Sequence, residues 1–266
     1  MAAVKPKPGK RPLKTLERVL SKAGLGSRTD ARQWIGAGRV KVNGRLIQTP
    51  DHWVDLERDQ VTLDGKSIQA ARKIYLLLYK PKGFLTTYKD PGGRPTVYDL
   101  IQDAGRWVVP VGRLDLDSSG LLLLTNDTRF AERVTNPDYK VPKTYLVKTA
   151  TLLADAQLDQ LRAGVMLSDG LTQPALVERV RDSARYSFLE ITIREGRNRQ
   201  VRRMLEAVGS KVLKLVRTEI GGLRIGDLPI GKFRELTRAE VELIQRAGGR
   251  SQAAGHPPAR RSSNSP

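Results

Sequence analysis

The sequence predicts an α+β protein in which a small α/β module precedes a larger domain with a mixed, mainly antiparallel sheet. Two amphipathic helical segments and a hairpin signal lie close together near the start of the chain. Beyond residue 74, strand-like apolar runs outnumber helical segments, and no repeat with a period of about 20 to 50 residues is present. The length of 266 residues is sufficient for two domains of modest size.

The N-terminal module begins with two predicted helices. Apolar residues at helical spacing predict a first helix from Leu16, and Gly24 ends it. Ser27 is followed three residues later by Asp30, a capping signature that predicts a second helix as far as Gly36.

A short hairpin follows these helices. Val40 and Val42 alternate with charged residues, and the dipeptide Asn43-Gly44 favours a tight turn into a second strand. Helices and hairpin together occupy residues 14–73, which we predict to form one domain.

The sheet domain is predicted at residues 74–246. Strand-like runs occur at 74–79, 107–111, 121–125, 144–149, 186–193 and 211–218. Helices are predicted at 152–163, 198–208 and 238–247, the last with a capping signature of Thr237 and Glu240. The two ends of the chain, residues 1–13 and 247–266, are basic and rich in Pro, Gly or Ser, so we predict that they are disordered.

Basic residues outnumber acidic ones. Lys and Arg number 47 against 28 Asp and Glu, which gives a net charge of +19 and predicts a polyanionic partner such as nucleic acid. The chain has no cysteine and two histidines, which excludes disulfides, thiolate nucleophiles and a zinc cluster. The phosphate-loop patterns are also absent, and we expect neither a metal nor a cofactor.

No segment has the character of a signal peptide or a membrane span. The first residues are charged and rich in proline, and no run approaches the roughly 18 apolar residues that a span requires. We therefore expect a cytoplasmic protein without membrane association, and we expect it to be a monomer.

Several basic residues cluster on the second helix and the hairpin of the module. They are Arg28, Arg32, Arg39, Lys41 and Arg45. Their grouping predicts a surface that follows an RNA backbone, although a solvated face would explain each of them singly. The segment LERVLSKAGLGSRTDARQWIGAGRVKVNGRLI resembles the alpha-L RNA-binding module, which is found in a ribosomal small-subunit protein and in several RNA-modifying enzymes.

One carboxylate of the second domain is a candidate for catalysis. Asp115 ends the step Gly-Arg-Leu-Asp on a loop just before the leucine run 121–124. A carboxylate can attack or deprotonate a sugar carbon, because glycosidic chemistry passes through a positively charged ring. Hydrolytic glycosidases use two carboxyl groups, and Asp117 is the available second one, but its position before Ser118-Ser119-Gly120 favours a turn cap.

Three segments of the second domain carry a further resemblance. They are Lys80-Pro81-Lys82-Gly83, Gly112-Arg113-Leu114-Asp115 and EGRNRQVRRML at residues 195–205. In order, spacing and flanking strands they resemble the bacterial ribosomal-RNA pseudouridine synthases of the RsuA and RluB type, which carry an alpha-L module at the N-terminus. The resemblance covers about residues 14–245 and implies a catalytic domain of the pseudouridine synthase type.

The resemblance implies three active-site residues. Asp115 would be the catalytic carboxylate that starts cleavage of the C1′–N1 bond of a uridine, either by attacking C1′ or by removing a C2′ proton. Tyr145 would stack on the uracil of a flipped-out nucleotide, although a core position is the alternative for this residue. Arg202 would pair with Asp115 and keep it ionised. The uracil would then rejoin the sugar through C5, so no cofactor is needed.

RNA contacts are expected around the same site. The candidates are Lys80, Lys82, Arg113, Arg197, Arg199, Gln200 and Arg203, with a solvated basic turn as the alternative for the arginines. The segment GGRPTV at residues 92–97 resembles the branch that acts on large-subunit (23S) ribosomal RNA. Three alternatives stay open: the same enzyme acting on small-subunit (16S) RNA, a noncatalytic ribosome-assembly factor, and a hydrolase that releases uracil.

Overall fold

The computed structural model describes residues 14–55, 58–68, 72–104 and 107–249. The predicted disordered ends lie outside the described residues, except for 247–249. None of the helices in these ranges combines the length and the apolar character needed to cross a membrane.

The N-terminal module packs two helices against short strands. Its elements are β1 (Lys14–Thr15), α1 (Leu16–Lys22), α2 (Arg28–Gly36), β2 (Val40–Val42), β3 (Arg45–Leu46), β4 (Trp53–Val54), β5 (Val61–Leu63) and β6 (Lys66–Ser67). The strands pair in the order β3–β2–β5–β6, and β1 pairs with β4. Leu16, Leu20, Ile35 and Val40 lie in the core between the helices and the strands.

Hydrogen bonds of the module confirm the predicted cap and turn. Ser27 Oγ accepts from the backbone N–H of Asp30 at 3.1 Å, and the Asp30 carboxylate accepts from the Ser27 N–H at 2.9 Å, so the start of α2 is capped. Asn43 and Gly44 have positive φ angles of 52° and 78° and connect β2 to β3 as an antiparallel hairpin.

The rest of the chain is organised around one nine-stranded sheet. In chain order its elements are β7 (Tyr75–Lys80), β8 (Val109–Pro110), β9 (Ser119–Thr125), α3 (Thr128–Thr135), β10 (Lys143–Thr149), α4 (Asp155–Ala163), β11 (Met166–Leu167), β12 (Gly170–Leu171), β13 (Leu176–Asp182), β14 (Ser187–Ile193), α5 (Gln200–Ala207), β15 (Val212–Ile220), β16 (Leu223–Arg224), β17 (Phe233–Glu235) and α6 (Arg238–Arg246). Short 3-10 helices occupy Val97–Leu100, Gln102–Ala104 and Pro137–Tyr139.

The strand order confirms the predicted mixed, mainly antiparallel sheet. It is β13–β14–β10–β15–β9–β7–β17, with β8 paired to β9 and β16 paired to β15. Strands β9 and β15 run parallel, and the other pairs in this sheet are antiparallel. The hairpin β11–β12 lies outside the sheet.

Helices cover both faces of the nine-stranded sheet around β9. In β9, Leu122 and Leu124 pack into one apolar cluster with residues of α4 and α5, whereas Leu121 and Leu123 pack into a second cluster with residues of α3 and α6. Because helices cover both faces, both sides of the strand need apolar residues, which explains the run of four leucines. The doubly covered sheet is a rigid support for the loops at its edge.

Candidate active site

A cavity of about 390 Å³ opens beside the segment 111–118, which precedes β9. Its wall combines this segment with side chains of β10 and β15 and with the loop 196–199 that leads into α5. The volume lies near the lower end of the range for small-ligand sites, about 300–1,000 Å³. Asp115, Tyr145 and Arg199 all line the cavity, so the fold brings together residues that are far apart in the sequence.

The loop that carries Asp115 is held in place by Lys80, at the end of β7. Lys80 is fully buried, and its Nζ donates to the carbonyl oxygens of Pro81, Asp115 and Ser118 at 3.0, 3.0 and 2.8 Å. Burial lowers the pKa of Lys80 to about 8, although the charges of Asp115 and Asp117 oppose this shift. The expected RNA contact of Lys80 is wrong, because a buried ammonium bonded to three carbonyls cannot reach a phosphate.

Arg199 provides the positive charge next to the Asp115 carboxylate. Its Nη1 lies 3.6 Å from Asp115 Oδ2 and 3.2 Å from Asp117 Oδ1. The Asp115 side chain is 28% exposed, so it stays accessible from the cavity while it contacts the guanidinium. A partly exposed carboxylate beside a cation is suited to meet a sugar carbon that gains positive charge.

Arg202 lies elsewhere than expected. It is buried, its Nη2 is 3.1 Å from Asp117 Oδ2, and the same nitrogen donates to Ser118 Oγ and to the backbone oxygen of Asp117, both at 3.1 Å. The expected pairing of Arg202 with Asp115 is wrong in this structure. Arg202 lies on the buried side of α5 and holds the turn after Asp115, while Arg199 at the start of the same helix reaches the carboxylate itself.

Asp117 is a second carboxylate at this edge of the cavity, and it is held in an ion-pair network. Burial raises its pKa, but the hydrogen bond from Arg199 and the charges of Arg202 and Arg199 outweigh burial, so the pKa lies below its ordinary value. The turn-cap interpretation missed these two arginines. Because Asp117 stays ionised at neutral pH, it does not provide the protonated carboxylic acid that a glycosidase needs.

Tyr145 forms part of the opposite wall. It lies on β10 between Ile191 of β14 and Arg217 of β15, and it is 9% exposed. It belongs both to the edge of the apolar core and to the cavity lining, so the two sequence-based interpretations of this residue are compatible. An aromatic side chain in a cavity wall can stack on a planar base.

Two further arginines of the segment 195–205 bind the protein itself. Arg197 donates to the carbonyl oxygens of Gly170 and Leu171 at 2.8 and 2.6 Å, and Arg203 forms a two-pronged ion pair with Asp169 at 2.9 and 3.0 Å. These bonds tie the loop before α5 and the helix itself to the β11–β12 hairpin. Both side chains keep 24% of their surface exposed, and their contact with RNA stays a prediction.

The other residues that were expected to contact RNA differ in how deeply they are buried. Gln200 is buried and its side-chain amide donates to Glu195, but it also lines the cavity, so its contact with RNA stays a prediction. Lys82 and Arg113 are exposed, and Arg113 also lines the cavity, so both keep their predicted role.

The basic residues of the N-terminal module also divide into two groups. Arg32 is paired with Glu17 and Arg39 with Asp64, which leaves less of their charge for a phosphate. The other three are exposed and form no ion pair among the described residues: Arg28, Lys41 and Arg45.

Two cavity residues were missed by the sequence reasoning, Lys143 at the start of β10 and Arg217 on β15. Arg217 is 4% exposed and donates from Nε to the carbonyl oxygen of Leu121 at 2.7 Å. The available signal was a basic residue directly after the apolar pair Leu215-Val216 of a predicted strand, since a cation at a buried strand position requires a partner.

Comparison with known proteins identifies the family. Residues 74–207 match the RNA pseudouridylate synthase family, and residues 15–61 match the S4 domain family. A relative from Aquifex aeolicus (strain VF5), named uncharacterized RNA pseudouridine synthase, is 41% identical over 235 residues, which are 88% of this chain and 94% of the relative. The ribosomal large subunit pseudouridine synthase B of Bacillus subtilis (strain 168) is 39% identical over 88% of this chain and 96% of its own length.

A solved structure supports the same assignment at the level of the fold. A crystal structure of a pseudouridylate synthase superposes with a TM-score of 0.62 at 30% identity, covering 86% of this chain and 99% of that one. The family resemblance predicted from the sequence motifs is therefore confirmed. With an S4 domain before a nine-stranded catalytic sheet, this chain belongs to the RNA pseudouridylate synthase family of isomerases.

Proposed function

We propose that this enzyme converts a uridine of large-subunit ribosomal RNA to pseudouridine, with Asp115 as the catalytic carboxylate. The observation that carries the proposal is the cavity in which Asp115, Arg199 and Tyr145 meet. The Bacillus subtilis relative named for the large subunit supports the substrate, because it matches this chain over nearly its full length.

In this proposal, Asp115 and Tyr145 act on one flipped-out nucleotide. A nucleotide inside an RNA structure must leave its stack before its sugar can reach Asp115, and stacking on Tyr145 offsets part of that cost. The carboxylate of Asp115 then attacks C1′ or takes the C2′ proton, and the C1′–N1 bond breaks. The freed uracil turns within the cavity and rejoins C1′ of the ribose through C5. This step breaks the bond between C1′ and Asp115 in the first route and returns a proton to C2′ in the second. C5 loses its proton last and N1 gains one, so the product is an isomer of uridine.

Four side chains keep Asp115 in position. Lys80 and Arg202 fix the backbone at Asp115 and just after it, and Arg199 places a positive charge beside the carboxylate. Asp117 in turn positions both arginines. This pre-organisation lets Asp115 act without a rearrangement of the loop.

Two finer proposals accompany this function. We propose that the enzyme acts as a monomer, since one chain brings Asp115, Tyr145 and Arg199 into one cavity. We also propose that residues 14–73 and 74–246 are the two domains, since residues of each range form separate apolar clusters.

The test is a map of pseudouridines across all ribosomal RNA in cells that lack the protein and are complemented with variants. The wild-type chain should restore one or more sites in large-subunit RNA, and Asp115→Asn should restore none while binding the same RNA with nearly unchanged affinity. Asp227→Asn removes an exposed carboxylate in a turn outside the cavity and should behave as wild type.

Three results would contradict the proposal. Pseudouridine formation by Asp115→Asn would show that the reaction does not need the Asp115 carboxylate. Restored sites in small-subunit RNA alone would assign a different substrate. Release of free uracil by the purified enzyme would show that the reaction is hydrolysis and not isomerisation.

A further inference from the structure

The cations that line the cavity differ in how their charge is compensated. Arg197 and Arg199 are paired with carboxylates, at 3.1 Å from Glu195 and 3.2 Å from Asp117. Lys143 and Arg217 line the same cavity, but neither takes part in an ion pair among the described residues.

Arg217 is the more deeply buried of these two cations. It is 4% exposed, and it donates to backbone oxygens only, from Nε to Leu121 at 2.7 Å and from Nη1 to Arg113 at 3.5 Å. Within the described part of the chain, its Nη2 is buried without a hydrogen-bond partner. A guanidinium can use five N–H donors, so Arg217 has capacity for a further acceptor.

Lys143 is placed to act together with Arg217. It precedes Tyr145 by two positions on β10, and the register partner of Tyr145 on β15 is Arg217. Its Nζ donates to the carbonyl oxygen of Val141 at 3.1 Å, which leaves two N–H donors. Burial, and then the charge of Arg217, lowers the pKa of Lys143 to about 8.

Two neighbouring cations, one buried and one partly buried, are unfavourable unless an anion joins them. Each loses hydration, and each raises the cost of charging the other, so the expected compensation is a negatively charged group. Uracil and ribose are neutral in the ground state, whereas every nucleotide of an RNA chain brings an anionic phosphate.

We propose that Lys143 and Arg217 form a phosphate subsite in the wall of the cavity, which binds a backbone phosphate of the flipped-out nucleotide beside Tyr145. The identity of the natural ligand rests on the proposed function, but the subsite can be tested without the reaction. The phosphate neutralises both cations and fixes the ribose relative to Asp115. An extruded nucleotide is then held both through its base and through its backbone.

The test compares uridine 5′-monophosphate with uridine as probes of the full-length protein. Isothermal titration at constant ionic strength should show binding of the monophosphate at concentrations up to about 10 mM, and uridine should bind at least about tenfold more weakly. Lys143→Gln should lower the affinity for the monophosphate about tenfold, as expected when one charge-assisted hydrogen bond is lost, and should leave uridine unaffected.

A matched control separates the subsite from general charge. Lys214 is an exposed lysine on the same strand as Arg217 and does not line the cavity, so Lys214→Gln should bind the monophosphate as wild type does. Arg217→Lys keeps a cation at the buried position and should retain more affinity than Arg217→Gln. Folding of both Arg217 variants is checked by circular dichroism.

The binding measurements show whether the phosphate subsite exists. Equal affinity for uridine and the monophosphate, no binding of the monophosphate, or equal losses in Lys143→Gln and Lys214→Gln would each overturn the subsite. Asp115→Asn should still bind the monophosphate, because the subsite does not use the carboxylate. If no pseudouridine depends on this protein but binding still requires Lys143, the proposed function fails and the subsite stands.

Discussion

Asp115 depends for its position on side chains that do not themselves line the cavity. Lys80 binds the backbone oxygen of Asp115 from the interior, and Arg202 binds the backbone oxygen of Asp117 two residues later. Neither residue belongs to the cavity lining. Their substitution should therefore reduce the rate of reaction through loss of alignment rather than through loss of RNA binding.

The first prediction concerns Lys80→Met. This change leaves the carbonyl oxygens of Pro81, Asp115 and Ser118 without their common donor, and we expect the free energy of unfolding to fall by about 3 kcal/mol. Single-turnover pseudouridine formation should drop while RNA affinity changes little. Lys82→Met, at an exposed position two residues away, should change stability by less than about 0.5 kcal/mol. Equal effects of the two changes in denaturant unfolding would contradict the bracing role.

The second prediction concerns pH and Lys143. Its pKa of about 8 in the folded protein lies below the ordinary 10.5, so between these values the unfolded chain binds a proton that the folded chain lacks. The free energy of unfolding therefore rises with pH in this window, by at most about 1.4 kcal/mol per pH unit for one lysine. Lys143→Met should remove this contribution, whereas Lys214→Met at an exposed position should not. Denaturant unfolding between pH 8 and 10 measures how the free energy of unfolding changes with pH in each variant. The range stops at pH 10 because burial raises the pKa of Tyr75 to about 12, so above pH 10 this tyrosine makes the free energy of unfolding fall as pH rises.

Sequence motifs singled out two residues that line one cavity, Asp115 and Tyr145, but they did not give the ion pairs around Asp115. The catalytic roles of the two residues stay predictions. The sequence could not show whether Arg199 or Arg202 pairs with Asp115, because the answer depends on where α5 begins and on which side of the helix faces the core. The structure starts this helix at Gln200 and gives Arg199 a φ of 47°, a conformation that non-glycine residues seldom adopt and that motif spacing does not reveal.

At the scale of elements, the site lies where β9 and β15 meet. This is the parallel pair of the sheet, and its register partners are Ser119 with Val216 and Gly120 with Arg217. The pairing sets the turn after Asp115 directly against the strand that carries Arg217. Gly120 has a φ of 115°, and a Cβ built on it would overlap with the backbone carbonyl of Arg217. A glycine is required there because the two backbones approach too closely for any side chain.

The third prediction follows from this contact. Gly120→Ala should force β9 and β15 apart, so we expect a loss of more than about 3 kcal/mol in the free energy of unfolding or failure to accumulate as a folded protein. Gly36→Ala is the matched control, because nothing lies within 4 Å of the added Cβ and the φ angle is not positive. Thermal and denaturant unfolding of the two variants should differ strongly. Similar stabilities would show that the sheet can relax around the added methyl group.

Apolar patterning predicted the buried elements well and the exposed ones poorly. The run 121–125 corresponds to β9, whose side chains are buried on both faces. Strand β13 was missed because it lies at the edge of the sheet and most of its side chains are exposed, so no apolar run marks it. Helix α3 was missed for a related reason: only Phe130 and Val134 of its eight residues are buried, although Asp127 caps it.

Over the whole molecule, the basic residues are divided between the interior and the surface. Arginines such as Arg202 and Arg203 are used within the fold, so the net charge of +19 overstates the number of groups that are free to contact RNA. The exposed cations of the N-terminal module are better candidates for long-range attraction. Binding through them should release counterions and should weaken as salt is added.

The fourth prediction tests this division. RNA affinity should fall steeply with salt, and replacing Arg28, Lys41 and Arg45 together by Gln should reduce the slope of log K against log salt by about two to three. Arg32 supplies the control, because its side chain is already paired with Glu17. Arg32→Gln should therefore change the slope by less than the loss of one phosphate contact would. A salt slope that is the same for wild type and the triple variant would place the RNA on another surface.

The cavity is assembled from segments that leave the ribosome at very different times. Asp115 is synthesised early, but Arg199 follows 84 residues later and Arg217 102 residues later, by subtraction of their numbers. The parallel strand β15 is thus the last segment of the cavity wall to be synthesised. A nascent polypeptide, or a fragment cut anywhere before β15, holds the reactive carboxylate without its surroundings, so the cavity can form only after β15 has left the ribosome.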